Sequence, residues 1–106
     1  MMRRQARVDG THDDRKADFK ACGCTVVDLH ATGISGLPDF LLGCMGANHL
    51  VECKDPSTPY GRAGLSKSQA RFAGQCNGGP VYVVETMSDV LELIVLWRTR
   101  KRMVRP

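Results

Sequence analysis

Three side chains in the middle of this chain have the types and the spacing to act together on a phosphodiester. Asp39 lies in the run Gly36-Leu37-Pro38-Asp39-Phe40-Leu41-Leu42-Gly43, and Glu52 and Lys54 lie in Leu50-Val51-Glu52-Cys53-Lys54. Two carboxylates offer hard oxygen donors to a divalent ion such as Mg2+ or Mn2+. An ion of that kind activates water and neutralises the charge that develops on a phosphoryl oxygen. The E-x-K spacing carries weight because side chains alternate along a strand, so Glu52 and Lys54 share one face while Val51 and Cys53 point to the other.

What must position these groups is a hairpin. The pattern predicts one strand over residues 38–43, with Pro38 at its start, and a second over 50–54, joined by a tight turn at Met45-Gly46 in which glycine supplies a positive φ. A two-residue turn there pairs residues whose numbers sum to 91, as 39 and 52 do. Directly opposed residues have Cβ atoms about 5 Å apart, and two like charges so placed repel unless something positive sits between them. A bulge or a longer turn shifts this register by one residue. Taken alone the pattern is degenerate, and Glu52 with Lys54 also reads as a surface ion pair worth about 0–1 kcal/mol.

The flanking sequence supplies a sheet and its helices. A helix is expected over 13–22, with Ala17, Phe19 and Cys22 as core contacts, Gly23 as its stop, and Asp13 and Asp14 at the positive end of its dipole. Thr25-Val26-Val27-Asp28-Leu29 reads as a strand, and residues 30–36 as a loop whose Ser35 or Thr32 either meets a phosphate or serves plain turn chemistry. Residues 55–64 form a Pro/Gly-rich loop in which Tyr60 could stack on a base and Arg62 meet a phosphate. Ser66 and Gln69 make a capping box, with Leu65 as a staple, for a helix running to about residue 76. Val81-Tyr82-Val83-Val84 reads as a buried parallel strand. The last helix, capped at Thr86 or Ser88, carries Val90, Leu91, Ile94, Val95 and Trp97, too many apolar residues for one stripe. It needs cover from the sheet and from a second subunit. The order is helix, three strands, helix, strand, helix, an α/β domain.

Composition bounds the rest. The 106 residues suit one domain, with a core over about 7–97 and a basic tail over 98–106. Met1-Met2-Arg3-Arg4 is not followed by the apolar stretch of a signal peptide, and no apolar run approaches the ~20 residues of a membrane span, so a cytoplasmic protein is expected. Five cysteines without a C-x-x-C, and three histidines without finger-like spacing, favour buried free thiols over a zinc-stabilised interaction module. The net charge of +4 is uneven: Arg98, Arg100, Lys101, Arg102 and Arg105 leave ten basic against eleven acidic residues in the first 97. Such a run either binds nucleic-acid phosphates or stays solvated.

Gly-Leu-Pro-Asp-Phe, then Val-Glu-Cys-Lys, then Leu-Ser-Lys-Ser-Gln-Ala-Arg-Phe, in an α-β-β-β-α-β order, resemble the PD-(D/E)xK, or restriction-endonuclease-like, superfamily. With Arg7-Val8-Asp9 the chain looks more narrowly like the small stand-alone VRR-NUC nucleases, many of them encoded by bacteriophages and similar to Holliday-junction resolvases; the likeness runs from about Arg7 to Ile94. The resemblance implies an αβββαβ core with a mixed central sheet flanked by helices and a C-terminal helix. It implies a metal-dependent endonuclease acting as a homodimer on DNA, branched forms such as four-way junctions included. Asp39 and Glu52 then hold Mg2+ or Mn2+, Cys53 adds its backbone carbonyl, Lys54 is the catalytic cation, and Gln69 approaches from its helix. DNA contacts are expected from Ser35, Arg62, Lys67, Arg98, Arg100, Lys101 and Arg102. The chain departs from the pattern in its first helix, where relatives read Asp-x-Asn-Glu and this chain reads Asp9-Gly10-Thr11-His12, with Asp14 the nearest acid. Either Asp14 substitutes with a shorter reach, or Asp39 and Glu52 act alone. The competing reading is a non-catalytic nucleic-acid-binding domain that keeps the nuclease fold.

Overall fold

Two consecutive residues with positive φ, Met45 at 54° and Gly46 at 84°, reverse the chain in the middle of the sheet, the combination that matches the twist of a two-residue hairpin. The computed structural model describes residues 12–103, apart from the side chains of Tyr60, Arg102 and Met103, so the Arg7-Val8-Asp9 segment and Arg105 lie outside it. In chain order it contains α1 (His12–Ala21), β1 (Thr25–Asp28), a 3-10 turn (His30–Thr32), β2 (Phe40–Cys44), β3 (Ala47–Cys53), α2 (Pro59–Arg62), α3 (Lys67–Gln75), β4 (Val81–Val84) and α4 (Met87–Met103). The fold is mixed α/β, as expected.

The hairpin pairs Phe40 with Val51 and Cys44 with Ala47, so the register is the one the turn predicts. β1 joins β2 antiparallel, and β4 joins β3 parallel, giving the order β1-β2-β3-β4. The parallel pairing requires a crossover, which α2 and α3 provide. β3 is longer at its start than predicted, and its last residues, Val51, Glu52 and Cys53, are buried on both faces. A strand with β2 on one side and β4 on the other loses its solvent face where helices cover it.

α1 stops where Gly23 takes φ 89°; its N–H donates to Lys20 O and that of Cys24 to Phe19 O, a Schellman cap. Phe19 is fully buried and stacks on Trp97 of α4, ring centroids 6.3 Å apart. Ala17 is exposed, contrary to expectation. At 100° per residue it lies roughly 140° around the helix from His12, whose side faces inward. The segment expected to be an irregular loop contains α2, capped by Thr58, whose Oγ1 accepts from Gly61 N at 2.9 Å.

α4 begins in a reciprocal cap. Asp89 N donates to Thr86 Oγ1 at 3.2 Å, while Asp89 Oδ2 accepts from Glu85 N at 2.7 Å and Thr86 N at 3.1 Å. The helix buries Val90, Ile94 and Trp97 against the sheet and α1. It does not end at Trp97. Nothing in Arg98-Thr99-Arg100-Lys101-Arg102-Met103 breaks a helix, so the expected tail is helical through Met103. All five cysteines are free, and Cys24, Cys44 and Cys53 are buried in the core. Burial, then the neighbouring Cys44, pushes the Cys24 thiol up to about 12. No helix among the described residues is long and apolar enough to cross a membrane.

Candidate active site

Asp39 sits one residue before β2 and is held at both ends. Its carbonyl accepts from Leu29 N at 2.8 Å, and its Oδ2 accepts from Cys53 N at 2.8 Å. Asp39 thus continues the hairpin register by one step, with its carboxylate in place of a ladder carbonyl. Glu52 is the next residue of β3, and Lys54 leaves the strand with its N–H bonded to Val84 O at 2.9 Å. Relative exposures of 7%, 5% and 1% for Asp39, Glu52 and Lys54 remove the surface-ion-pair reading. Three charged groups buried side by side cost several kcal/mol unless each is compensated.

One amide supplies part of this compensation to both Glu52 and Lys54. Gln69 Nε2 donates to Glu52 Oε2 at 2.8 Å, and Gln69 Oε1 accepts from Lys54 Nζ at 3.0 Å. The same Oε1 accepts from Ser66 N at 2.9 Å, and Gln69 N donates to Ser66 Oγ at 3.2 Å. The capping box predicted from sequence therefore exists, and its glutamine reaches past the helix end to bridge the carboxylate and the ammonium. Lys54 Nζ stands 3.6 Å from Glu52 Oε2.

Glu52 shows what is missing. Burial first, and then the charge of Asp39, push its carboxyl from the usual range up to about 7, with Lys54 pulling the other way. Its Oε1 is buried and has no hydrogen-bond partner among the described residues. A divalent cation fits this donor set: it supplies positive charge beside two adjacent carboxylates and an acceptor for the lone pairs of Glu52 Oε1. Among the described residues no three His, Cys, Asp or Glu side chains already converge on a single point. Mg2+ needs only one or two carboxylates, with waters and substrate phosphate completing its shell.

Asp39, Glu52 and Gln69 line a cleft of about 310 Å3 whose other walls include His30 and Ser35 from the loop after β1, and Ser68 beside Gln69. Lys54, buried and bonded to Gln69, is not among the lining residues. Cys53 contributes to the cleft while remaining fully buried in the core. Gly36 has φ 83°, and a Cβ there would overlap the carbonyl of Ser68, so this glycine allows the loop to lie against the start of α3. Gly36→Ala is expected to cost about 2–4 kcal/mol, from combined φ strain and overlap, read as a lowered urea midpoint with unchanged slope.

The remaining expected site residues lie elsewhere. Asp14 is exposed and does not line the cleft. It stands roughly 200° around α1 from His12, and His12 is the residue that turns inward, 4% exposed, its ring 4.6 Å from that of Phe40. Arg62 is exposed, donating from Nη1 to Pro56 O at 3.2 Å, and Lys67 is exposed at the start of α3. Arg98, Arg100 and Lys101 are exposed on α4, with Arg100 Nη1 donating to Tyr82 OH at 2.6 Å; the side chain of Arg102 lies outside the described residues. Sequence reasoning missed His30, whose ring lines the cleft with Nδ1 3.8 Å from Asp39 Oδ1. A local signal is the turn made by its N–H to Asp28 Oδ1 at 3.0 Å, and such turns are common in loops without function.

No known family model matches the chain, and no curated protein or solved structure matches it.

Proposed function

We propose that this protein is a divalent-metal-dependent endonuclease that hydrolyses DNA phosphodiester bonds. The observation that carries the reading is the buried group of Asp39, Glu52 and Lys54, with Gln69 bridging Glu52 and Lys54 and with both carboxylates at the wall of an open cleft. Asp39, Glu52 and the backbone carbonyl of Cys53 would hold Mg2+ or Mn2+, which when bound activates water and offsets phosphoryl charge. With both acids ionised, the three side chains carry one net negative charge and would repel a phosphate; the ion reverses that sign. Gln69 fixes the Lys54 ammonium through its Oε1, so this cation is pre-positioned for charge that develops on the phosphate, without reorganisation during the reaction. Ser35, exposed on the loop side of the cleft, offers a hydroxyl to a phosphate oxygen.

DNA outside the cleft would meet Arg62, Lys67 and the basic end of α4. Arg98 and Lys101 lie three residues apart and so share one side of that helix, and Arg102 follows them in sequence. Replacing all three with glutamine is expected to lower the slope of log K against log salt by about 2 to 3, since each phosphate contact contributes about 0.9. An unchanged slope would show that this helix end does not touch DNA.

A homodimer is part of the proposal. Met87, Leu91 and Val95, four residues apart along one side of α4, are 40%, 47% and 57% exposed. An apolar patch of this kind is best covered by a second copy, and two clefts related by a two-fold axis suit the paired strands of a four-way junction. Light scattering at tens of micromolar is expected to give the dimer mass. The function itself is tested by incubating the protein with labelled duplex, flap, fork and four-way junction in Mg2+, Mn2+ or chelator. Metal-dependent cutting is the expected result. Binding without cutting under every condition would favour the non-catalytic nucleic-acid-binding domain, and stoichiometric zinc in the purified protein would favour an interaction module. We further place the protein in the cytoplasm.

A further inference from the structure

We infer that His30 is a third protein ligand of the divalent ion, coordinating through Nδ1, and that it gives the centre a preference for Mn2+ over Mg2+. The inference rests on the metal-centre reading of the cleft. His30 opens the 3-10 turn after β1, anchored by its own N–H to Asp28 Oδ1 at 3.0 Å, so its backbone is fixed relative to the sheet. Its side chain is 22% exposed and lines the same cleft as Asp39 and Glu52. Oδ2 of Asp39 is occupied by the Cys53 amide, and Oδ1 is the oxygen that His30 approaches, at 3.8 Å.

That separation is too long for a hydrogen bond, but two donors each about 2.1 Å from one ion lie about 3.0 Å apart at 90° and about 3.9 Å at 135°. Because no three such side chains among the described residues already converge on one point, His30 and the carboxylates must reorient around the ion for all three to bind it. The position also answers the sequence departure in the first helix. Among the described residues α1 contributes nothing to the cleft: Asp14 is exposed and His12 is packed against Phe40. His30 approaches instead from the loop after β1 and would complete a two-carboxylate, one-imidazole set. Replacing an oxygen donor with a ring nitrogen weakens the case for Mg2+, which favours oxygen and keeps its waters, and strengthens it for a first-row transition ion.

The test is spectroscopic and does not depend on cleavage. Mn2+ is titrated into the metal-free protein and followed by electron paramagnetic resonance, and electron spin echo modulation reports whether a 14N nucleus is bound. The wild type is expected to show imidazole nitrogen coupling that shifts to the 15N pattern after histidine-selective labelling. His30→Gln and His30→Ala are expected to lose it, with Mn2+ affinity down about tenfold and Mg2+ affinity, by calorimetric competition, changed less than about twofold. Bound Mn2+ without nitrogen coupling, or coupling that survives in both variants, overturns the inference while leaving the two-carboxylate centre standing. Mn2+ binding that Asp39→Asn and Glu52→Gln leave intact removes the centre itself.

Discussion

Asp39→Asn is expected to lower the single-turnover rate of metal-supported DNA cleavage by roughly a thousandfold or more, and Lys54→Met by about a hundredfold to a thousandfold. Loss of one preorganised charge-stabilising group costs about 10²–10³ in rate, and Asp39→Asn also removes a charged metal ligand. Lys54 should be replaced by methionine and not alanine. Its side chain is 1% exposed, and truncation would open a buried cavity costing about 2–5 kcal/mol, confusing lost chemistry with lost folding. Methionine keeps the stem packed and deletes only the ammonium that Gln69 Oε1 holds. Asparagine at position 39 still offers an oxygen to Cys53 N, so the end of the hairpin survives. Rates are compared at matched far-ultraviolet circular dichroism and matched urea midpoints. Undiminished cutting by both variants would end the proposed function.

The second large effect is on stability. In the metal-free protein the Glu52 carboxyl is raised from 4.5 to about 7, first by burial and next by Asp39. Between those two values the folded state keeps a proton that the unfolded chain has already released. Stability therefore falls as pH rises through this window, and the penalty is complete above it. A shift of this size corresponds to about 3 kcal/mol. Glu52→Gln, which keeps the shape and cannot ionise, is expected to be more stable than the wild type by about that amount at pH 8 and nearly equal to it at pH 4. Urea unfolding of both proteins in chelator from pH 4 to 8 measures the difference. Mn2+ should raise the wild-type midpoint strongly at pH 8 and little at pH 4, where protonated carboxyls do not bind it. A pH-independent difference between the two proteins would mean that Glu52 titrates normally.

Both effects depend on groups that the sequence identified and a geometry that it only partly described. The hairpin was legible because its information is local. Met45-Gly46 can adopt consecutive positive φ values, and a two-residue turn leaves no freedom in the pairing, so Phe40 meets Val51 and Asp39 falls beside the end of β3. The Ser66–Gln69 box was legible for the same reason, since a helix cap is a contact between residues three apart. Alternating and continuous apolar runs were enough to order the strands. The phase of α1 was harder to read: polar residues dominate that helix, and although Phe19 was legible as a core residue, only tertiary packing selected His12 for the core while leaving Ala17 and Asp14 in solvent. The continuation of α4 past Trp97 was overlooked because a run of positive charge suggested a tail, although helix propensity there is favourable. Burial of Glu52 and Lys54, and the bridge between them, belongs to tertiary structure alone. Gln69 is 17 and 15 residues away from them, and its amide meets both only after α3 has crossed over to let β4 pair with β3. His30 comes within 3.8 Å of Asp39 only once the loop between β1 and β2 has folded back onto the sheet end, because separations of this kind are set by where whole elements pack and not by any local spacing of residue types.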